Sequence, residues 1–360
     1  LRSHTSTFLG GAELQADKIA TYLSKKGHNI YYIFDSNNKK KFKNENYKIF
    51  TLNNYGEINS FLNFRSLLNL LRKIKPDLIY QRCRNSYTGI ASIYCKKNKV
   101  PLVFSTANNS DCLNQKIGLS PFTLSRFLNK YLGIYGLKNS NKIVAQSNSQ
   151  SRLIKDNFQR ESIVIPNSHQ FIKNKKIKKI RIVSWIANIK PSKRLELFLD
   201  LADSLKSLKI FFVVAGRLGK DIYSKSIYER MQSMDNVRYL GSIPLDDCNF
   251  LLSKSEIFVN TSKKDSEGFP NTYIQSLMHS TPIITVSFDP DDFLKKNGIG
   301  LESQNFENLV SDVKYLILDK VKREKMASLG YAYSMKNFRS EIVLPNYEAL
   351  INELVKESNE

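Results

Sequence analysis

Short apolar segments alternate with segments of helical spacing along almost the whole chain, and this alternation constrains the fold more than any other feature. The helical segments include residues 12–26, 58–75 and 345–356, whose apolar positions recur every three or four residues. Strands that alternate with helices at this pace build parallel sheets with helices on both faces. The predicted strands are residues 28–34, 47–52, 78–81, 101–105, 142–146 and 163–165 in the first half and 181–187, 210–215, 236–240, 256–260 and 282–286 in the second.

The two series of strands predict two α/β domains, and 360 residues with 41% hydrophobic content suffice for two cores. The basic, poorly apolar connector KNKKIKK separates the series. We therefore predict a first domain at 1–168, a linker at 169–179 and a second domain at 180–340. A single helix is predicted at residues 314–329 of the second domain.

The start of the chain predicts an incomplete first domain. A glycine turn, Gly10-Gly11, leads into the first helix, and in a doubly wound domain such a turn follows a strand. The preceding RSHTSTF leaves little room for that strand. We therefore expect the first strand of this domain to be absent from the chain.

The charge is divided unevenly between the two halves. Residues 1–179 contain 31 Lys and Arg against 9 Asp and Glu, whereas residues 180–360 contain 24 of each. This division indicates that one domain faces an anionic partner such as a membrane surface, a phosphorylated lipid or nucleic acid. The alternative is a bias toward Lys and Asn without any partner. Stacking platforms and contiguous arginine strips are absent, which disfavours a nucleic-acid binder.

Cysteine and histidine usage excludes several classes of protein. The four cysteines form no Cys-x-x-Cys pair and the four histidines are scattered, so neither a zinc site nor a disulfide framework is predicted. No apolar run approaches the roughly 20 residues of a membrane span. These features are typical of a reduced, cytoplasmic protein.

The stretch from Asp265 to Thr285 carries the clearest chemical signal. Its segment EGFPN places a carboxylate and a glycine turn before a helix, whose first amides and positive dipole end suit an anion such as a diphosphate. A capped surface turn is the alternative. Lys193 lies in a second strand-to-helix loop of the same sheet. We place the strands that precede the two loops next but one to each other. Open α/β sheets bind ligands at such edges, so the two loops together favour a nucleotide site.

Five segments in order resemble the family 4, or group 1, glycosyltransferases of the GT-B fold. They are GGAELQADKIATYLSKKGHNI, VIPNSH, WIANIKPSKRLELFLDLA, NVRYLGSIP and NTSKKDSEGFPNTYIQSLMHSTPII. The resemblance implies two Rossmann-like domains with parallel sheets facing a central cleft, the helix at 341–360 packing back on the first domain. It also implies retaining transfer of a sugar from a nucleotide-diphosphate sugar, without cofactor or metal.

The resemblance assigns the donor site residue by residue. Glu267 is expected to contact the sugar hydroxyls, and Lys193 to neutralise the diphosphate; both are the expected catalytic residues. Gln275 replaces the glutamate usual at the ribose, and Asn188 stands where many members have arginine. The remaining expected donor residues are Gly10, Gly11, Gly216, Gly268, Phe269, Pro270, Asn271 and Thr272.

The acceptor side is assigned more loosely. Arg82 and Arg84 are expected to face the acceptor cleft, and Asn108, Asn109, Ser110 or Asp111 replaces a histidine found in many members near the sugar. Ordinary loop polar residues are the alternative. Asp289 to Asp292 reads as a solvated turn rather than a metal cluster.

The implied acceptor is a lipid-linked or glycan hydroxyl in polysaccharide or glycolipid biosynthesis, with the basic domain peripheral on the inner membrane face. A nucleotide-sugar epimerase or hydrolase of the same fold, and a catalytically weakened member carrying Asn188 and Gln275, remain alternatives.

Overall fold

The computed structural model describes residues 10–36, 43–53, 55, 60–114, 123–171, 178–264 and 267–360. It divides into two compact units. The first unit contains residues 1–167 and 343–360, and the second contains residues 168–342. The predicted bounds were 1–168 with 341–360, and 180–340. The predicted absence of a first strand concerns residues that lie outside the described ones.

The first unit holds two parallel sheets. One pairs β1 with β2, and the other has the order β3-β4-β5-β6. The strands are β1 (Tyr31–Asp35), β2 (Lys48–Leu52), β3 (Ile79–Arg82), β4 (Leu102–Ser105), β5 (Lys142–Ala145) and β6 (Ile163–Val164). The helices are α1 (Gly11–Lys25), α2 (Phe64–Ile74), α3 (Ser86–Asn98), α4 (Thr123–Lys138) and α5 (Asn148–Phe158), together with the last helix of the chain, α13 (Ser340–Asn359).

The core of the first unit forms where helices cover continuous apolar strands. All four residues of β4 are fully buried, as expected for a parallel strand with both faces covered. On one face, α13 contributes Val343, Tyr347 and Ile351 to a cluster with Val103 and Val144. The last helix therefore belongs to the core of the first unit.

The second unit is built on one six-stranded parallel sheet of order β12-β11-β10-β7-β8-β9. Its strands are β7 (Ile182–Ile186), β8 (Phe211–Ala215), β9 (Val237–Tyr239), β10 (Ile257–Asn260), β11 (Ile283–Thr285) and β12 (Gly300–Glu302). Its helices are α6 (Leu195–Ser204), α7 (Ile222–Gln232), α8 (Leu245–Lys254), α9 (Asn271–Met278), α10 (Phe293–Asn297), α11 (Phe306–Leu318) and α12 (Lys320–Asn337).

One predicted helix of the second unit is wrong. The segment 314–329 belongs to two helices, α11 and α12, which meet at Asp319. The Asp319 side chain accepts a hydrogen bond of 2.8 Å from the Lys322 amide and so caps α12. The helical spacing continues through the junction, which conceals the break in the sequence.

None of the helices in the described part of the chain is both long and apolar enough to span a membrane.

Candidate functional site

The central strands of the second unit create a crevice where the direction of strand addition reverses. From β7 the chain adds β8 and β9 on one side and then crosses to β10 on the other. The loops that follow β7 and β10 therefore leave neighbouring strands at the same edge of the sheet. Such a reversal is where open α/β sheets bind ligands. The sequence-based placement of these loops at next-but-one edges is wrong, because β7 and β10 are direct neighbours.

Lys193 ends a short 3₁₀ turn after β7, and its backbone is tied to the loop after β10. The Thr261 hydroxyl donates a hydrogen bond of 2.6 Å to the Lys193 carbonyl oxygen. The same hydroxyl oxygen accepts a bond of 2.9 Å from the buried indole N–H of Trp185 on β7. In addition, the Lys263 amide donates to the Ser192 carbonyl oxygen at 2.9 Å. These bonds fix the loop after β7 and the loop after β10 relative to each other.

Glu267 and Lys193 form an ion pair across the crevice. The Glu267 carboxylate also accepts a hydrogen bond of 2.7 Å from the Ser262 hydroxyl. The two charged side chains are 15% and 17% exposed, so they are shielded from bulk water while remaining accessible. An ammonium and a carboxylate thus lie side by side at the edge of the sheet, where a phosphate and a hydroxyl group could each find a partner.

Arg194 was not singled out from the sequence, yet it fastens these loops more directly than any predicted residue. Its Nε donates to the Thr261 carbonyl oxygen at 2.7 Å. Its Nη2 donates to the Ser262 carbonyl oxygen at 3.1 Å and to the Ser287 hydroxyl at 2.7 Å. The Arg194 backbone is left-handed, with φ 48° and ψ 50°, a region that favours glycine. The only sequence signal was a second basic residue beside Lys193.

The turn after Glu267 leads into α9, and its residues have distinct environments. The Phe269 ring is buried and packs against Phe293 and Phe338, so only its backbone is suited to hold a ligand. Pro270 precedes α9 and has no side chain that could cap the helix. The positive end of the α9 dipole is therefore not covered by a Pro270 side-chain cap, and it lies shortly after Glu267 in the chain.

Gln275 lies on α9 and is directed toward α8. Its side chain is buried, and its Nε2 donates to Asn249 Oδ1 at 3.1 Å. His169 and His279 line the same small cavity. Gln275 thus has a structural partner within the unit, and its expected role at a ribose stays a prediction.

Two further residues predicted at the donor site lie at the ends of β7 and β8. Gly216 must be glycine, because a Cβ there would overlap the Ala187 carbonyl oxygen. Its amide donates to the Gly241 carbonyl oxygen at 2.8 Å, and its carbonyl accepts from the Tyr239 hydroxyl at 2.9 Å. Gly216 thus permits the close approach of two loops, one of which contains Asn188. Asn188 itself is half-buried.

Gly10 and Gly11 belong to the first unit. Gly10 is extended and precedes α1, and its carbonyl accepts the first helical bond from the Leu14 amide at 3.0 Å. Gly11 is exposed at the first position of the helix. The absence of side chains leaves the backbone at this helix start open to a ligand.

Arg82, predicted at the acceptor, is buried in the first unit. Its guanidinium donates to Asn167 Oδ1 at 2.8 Å and to the hydroxyls of Ser105 and Tyr80 at 3.3 Å each. The side chain is 2% exposed and therefore does not present its charge to solvent. In this position Arg82 links β3 and β4 to Asn167, the last residue of the 1–167 segment of the first unit.

Arg84 and Asp111 stabilise the loops that follow β3 and β4. The buried Asp111 carboxylate accepts bonds from the Arg84 amide at 2.8 Å and the Ala107 amide at 2.7 Å. The Arg84 guanidinium donates to the carbonyl oxygens of Ser110 and Leu113 at 2.9 Å each.

The neighbouring Asn109 accepts a bond of 3.2 Å from Gln150 Nε2. The Asn108 side chain in turn accepts from the Asp111 amide. The polar side chains predicted on the acceptor side are therefore largely engaged with their own loops.

Within the predicted solvated turn at 289–292, Asp292 is exposed as expected, whereas Asp289 differs. Asp289 is half-buried and accepts from the amides of Leu294 at 2.9 Å and Lys295 at 3.1 Å, which caps α10. Burial raises the pKa of Asp289 to about 6, although these hydrogen bonds oppose the shift. Within the described ranges, no group of three or more His, Cys, Asp and Glu side chains is arranged to hold a metal ion.

Comparison with known proteins covers almost the whole chain. Residues 9–168 match the family model for Glycosyltransferase Family 4, and residues 167–333 match the model for Glycosyl transferases group 1. None of the curated proteins matches the chain in sequence.

Three solved structures illustrate the likeness in fold. A sucrose-phosphate synthase from Thermosynechococcus elongatus is 12% identical with a TM-score of 0.78, covering 97% of this chain and 94% of its own. HepE from Anabaena, solved with UDP and glucose, is 15% identical with a TM-score of 0.74 and 98% of each chain covered. A glycosyltransferase from Rickettsia africae is 16% identical with a TM-score of 0.72 and 96% of each covered.

Proposed function

The chain belongs to the group 1, family 4 glycosyltransferases of the two-domain GT-B fold, and from this premise we propose that it transfers a sugar from a nucleotide-diphosphate sugar to an acceptor hydroxyl with retention of configuration. We infer that the acceptor is a lipid-linked or glycan molecule of polysaccharide or glycolipid biosynthesis.

The ion pair of Lys193 and Glu267 at the reversal of the sheet is the observation that carries this proposal. In the donor complex the Lys193 ammonium turns to the diphosphate, and the amides at the start of α9 add partial positive charge. Glu267, still held by the Ser262 hydroxyl, then accepts hydrogen bonds from the sugar hydroxyls. The two side chains that pair with each other in the structure are thus the ones that we propose bind the donor.

The proposed reaction breaks the bond between the anomeric carbon and the diphosphate oxygen and forms a bond to the acceptor oxygen. The acceptor proton goes to the departing diphosphate. Negative charge grows on the diphosphate during this step, so a fixed cation at that position lowers the barrier. Lys193 supplies such a cation, and we propose on this basis that the reaction requires no metal.

Similar structures support the choice of donor and acceptor classes. HepE has been solved with UDP-glucose, and TarM from S. aureus with UDP, alpha-GlcNAc-glycerol and Fondaparinux. UDP-linked sugars are therefore the first donors to test, and glycans the first acceptors. We place the reaction in the cytoplasm, where a basic first half of the chain could meet an anionic inner membrane face.

A thermal-shift panel of UDP-, GDP- and ADP-linked sugars tests donor binding, because a ligand that binds only the folded state raises its melting temperature. We expect one nucleotide class to raise the melting temperature and Lys193→Ala to abolish the shift. Mass analysis of products with glycan acceptors then tests transfer. Consumption of the donor without any glycosylated product would contradict transfer and favour a hydrolase or epimerase.

A further inference from the structure

Helix α4 of the first unit directs its large apolar side chains toward solvent. Leu124, Phe127 and Tyr131 are 70%, 54% and 58% exposed. Their spacing of three and four residues places them in one stripe along the helix. The Phe127 and Tyr131 rings stack on each other, with centroids 6.0 Å apart and planes 14° apart. The outer surface of α4 is thus a preformed apolar stripe.

On its buried side, α4 approaches α3 closely at glycine residues. A Cβ added at Gly136 would overlap the Thr88 backbone, and one added at Gly89 on α3 would overlap the Leu132 carbonyl. The two helix backbones therefore touch, and no larger side chain fits between them. Rotation of α4 to bury its aromatic stripe would break this contact, so exposure of the stripe is a property of the folded unit.

The charged side chains of α4 are all basic. The helix carries Arg126, Lys130 and Lys138 and contains no Asp or Glu. Arg126 and Lys138 are exposed. The first unit as a whole has 27 Lys and Arg against 13 Asp and Glu. A partner for this surface must offer apolar material and negative charge together.

A second exposed apolar cluster provides a contrast. In the second unit Tyr315, Leu318 and Val321 are 47%, 60% and 79% exposed where α11 meets α12. There the neighbouring charges are mixed, since Asp319 and Glu324 accompany the lysines. Exposed apolar area alone is therefore common to both units, whereas its combination with charge of one sign is found at α4.

We propose that α4 docks the first unit on an anionic phospholipid surface. Leu124, Phe127 and Tyr131 enter the boundary between headgroups and acyl chains, and Arg126 and Lys138 contact the headgroup phosphates. Amphipathic helices bind membrane surfaces through this combination of apolar area and basic charge. The proposal goes beyond sugar transfer and does not depend on it, because binding to vesicles requires neither donor nor acceptor.

Vesicle flotation of the full chain tests the proposal. We expect binding to vesicles of equal parts phosphatidylcholine and phosphatidylglycerol, and little binding to phosphatidylcholine alone. The double variant Phe127→Ser/Tyr131→Ser should lower the partition coefficient about tenfold or more, because two partly inserted rings are lost. Arg126→Gln/Lys138→Gln should lower it about 25-fold on anionic vesicles, since each basic residue contributes about fivefold.

The matched control is Leu318→Ser/Val321→Ser, which removes equally exposed apolar side chains from the second unit and should leave binding unchanged. Equal loss in this control, or equal binding of the native chain to neutral vesicles, would overturn the proposal. So would a concentration-dependent dimer in sedimentation that disappears in the Phe127→Ser/Tyr131→Ser variant, because the stripe would then bind a second copy.

Insertion can also be observed directly. Trp185 is the single tryptophan of the chain and is buried in the second unit. A tryptophan introduced by Phe127→Trp adds a second emission, which should shift to the blue on anionic vesicles. An unshifted emission with vesicle-bound protein would show that another surface makes the contact. An unchanged melting temperature without ligand in each variant shows that the fold is intact.

Discussion

Two pairs of loops in this molecule contain similar charged residues at similar places, but use them in opposite ways. The loops after β7 and β10 place Lys193 and Glu267 against each other at the edge of a sheet, each with part of its side chain accessible. The loops after β3 and β4 contain Arg84 and Asp111, whose polar atoms bind the backbone of those same loops. A charged side chain after a strand therefore indicates a ligand site only when its hydrogen bonds leave it available.

The largest effect expected from this comparison is on Glu267. Glu267→Ala should lower the transfer rate about a hundredfold or more, because a group that binds the reacting sugar is lost. Folding should be normal, since the side chain lies at an edge and not in the core. The measurement is steady-state transfer together with thermal unfolding.

Glu324→Ala is the matched control for Glu267. Glu324 is also ion-paired to a lysine, Lys320 at 3.7 Å, but lies on the exposed surface of α12. Its loss should not alter transfer. Unchanged turnover in Glu267→Ala would remove that residue from the site.

Arg194 offers a way to sharpen the comparison, because its backbone and its side chain can be tested separately. Arg194→Gly suits the left-handed backbone but removes two hydrogen bonds to the loop after β10 and one to Ser287 after β11. We expect kcat to fall about tenfold through misplacement of Glu267. Stability should change little, as the backbone gain offsets part of the loss.

Lys209→Gly is the control for the backbone effect at Arg194. Lys209 has nearly the same conformation, φ 50° and ψ 51°, at an exposed helix end. This variant should gain up to about 1 kcal/mol in stability and keep full activity. If both variants had the same kinetics, the arginine side chain would have no positioning role.

On the other side of the comparison, Asp111→Asn should affect stability rather than chemistry. The substitution places an NH₂ group among amide donors that need an acceptor, at an expected cost of about 1–3 kcal/mol. Chemical denaturation measures it. Asp221→Asn is the control, because Asp221 caps the start of α7 at the surface and asparagine caps equally well. Full stability with lost transfer would instead assign Asp111 to the acceptor.

The smallest effect concerns pH and the second unit. Lys179 donates to the carbonyl oxygens of Leu252 at 3.2 Å and His279 at 2.8 Å, and burial lowers its pKa from 10.5 to about 7. The folded state therefore binds this proton more weakly than the unfolded chain does. The free energy of unfolding should rise as pH increases from about 7 to 10.5.

Lys179→Gln should flatten this rise, by about 1 kcal/mol for each pH unit between 7 and 10.5. Lys178→Gln, at the exposed neighbouring position, is the control and should leave the slope unchanged. Denaturant titrations across this pH range measure both. An unaltered slope in Lys179→Gln would show that the buried ammonium is not the source.

Much of the fold was predictable, because strands buried on both faces read as continuous apolar runs and helices read as amphipathic spacing. β7, β8 and β10 were all predicted near their observed positions. Helices α7 and α8 were missed, since both have polar, partly exposed sequences with weak apolar spacing. The break at Asp319 was missed because a capping aspartate also fits within a helix.

The site was predictable only as far as its residues are local. The EGFPN turn and Lys193 stand out in the sequence, whereas the adjacency of β7 and β10 depends on a crossover that no local pattern encodes. The Arg194 contacts and the bond between Gln275 and Asn249 arise from packing between segments far apart in the chain. Burial of Arg82 is likewise a property of the assembled unit.

The order of the strands also has a consequence for how the protein is made. Lys193 and Glu267 are 74 residues apart, and β8, β9 and their helices lie between them. During synthesis the lysine loop emerges long before its partner, and contacts of such separation form late because the intervening chain must first be ordered. Formation of the pair thus requires that β8, β9 and β10 have already been synthesised, so a chain whose synthesis stops before Glu267 lacks the pair.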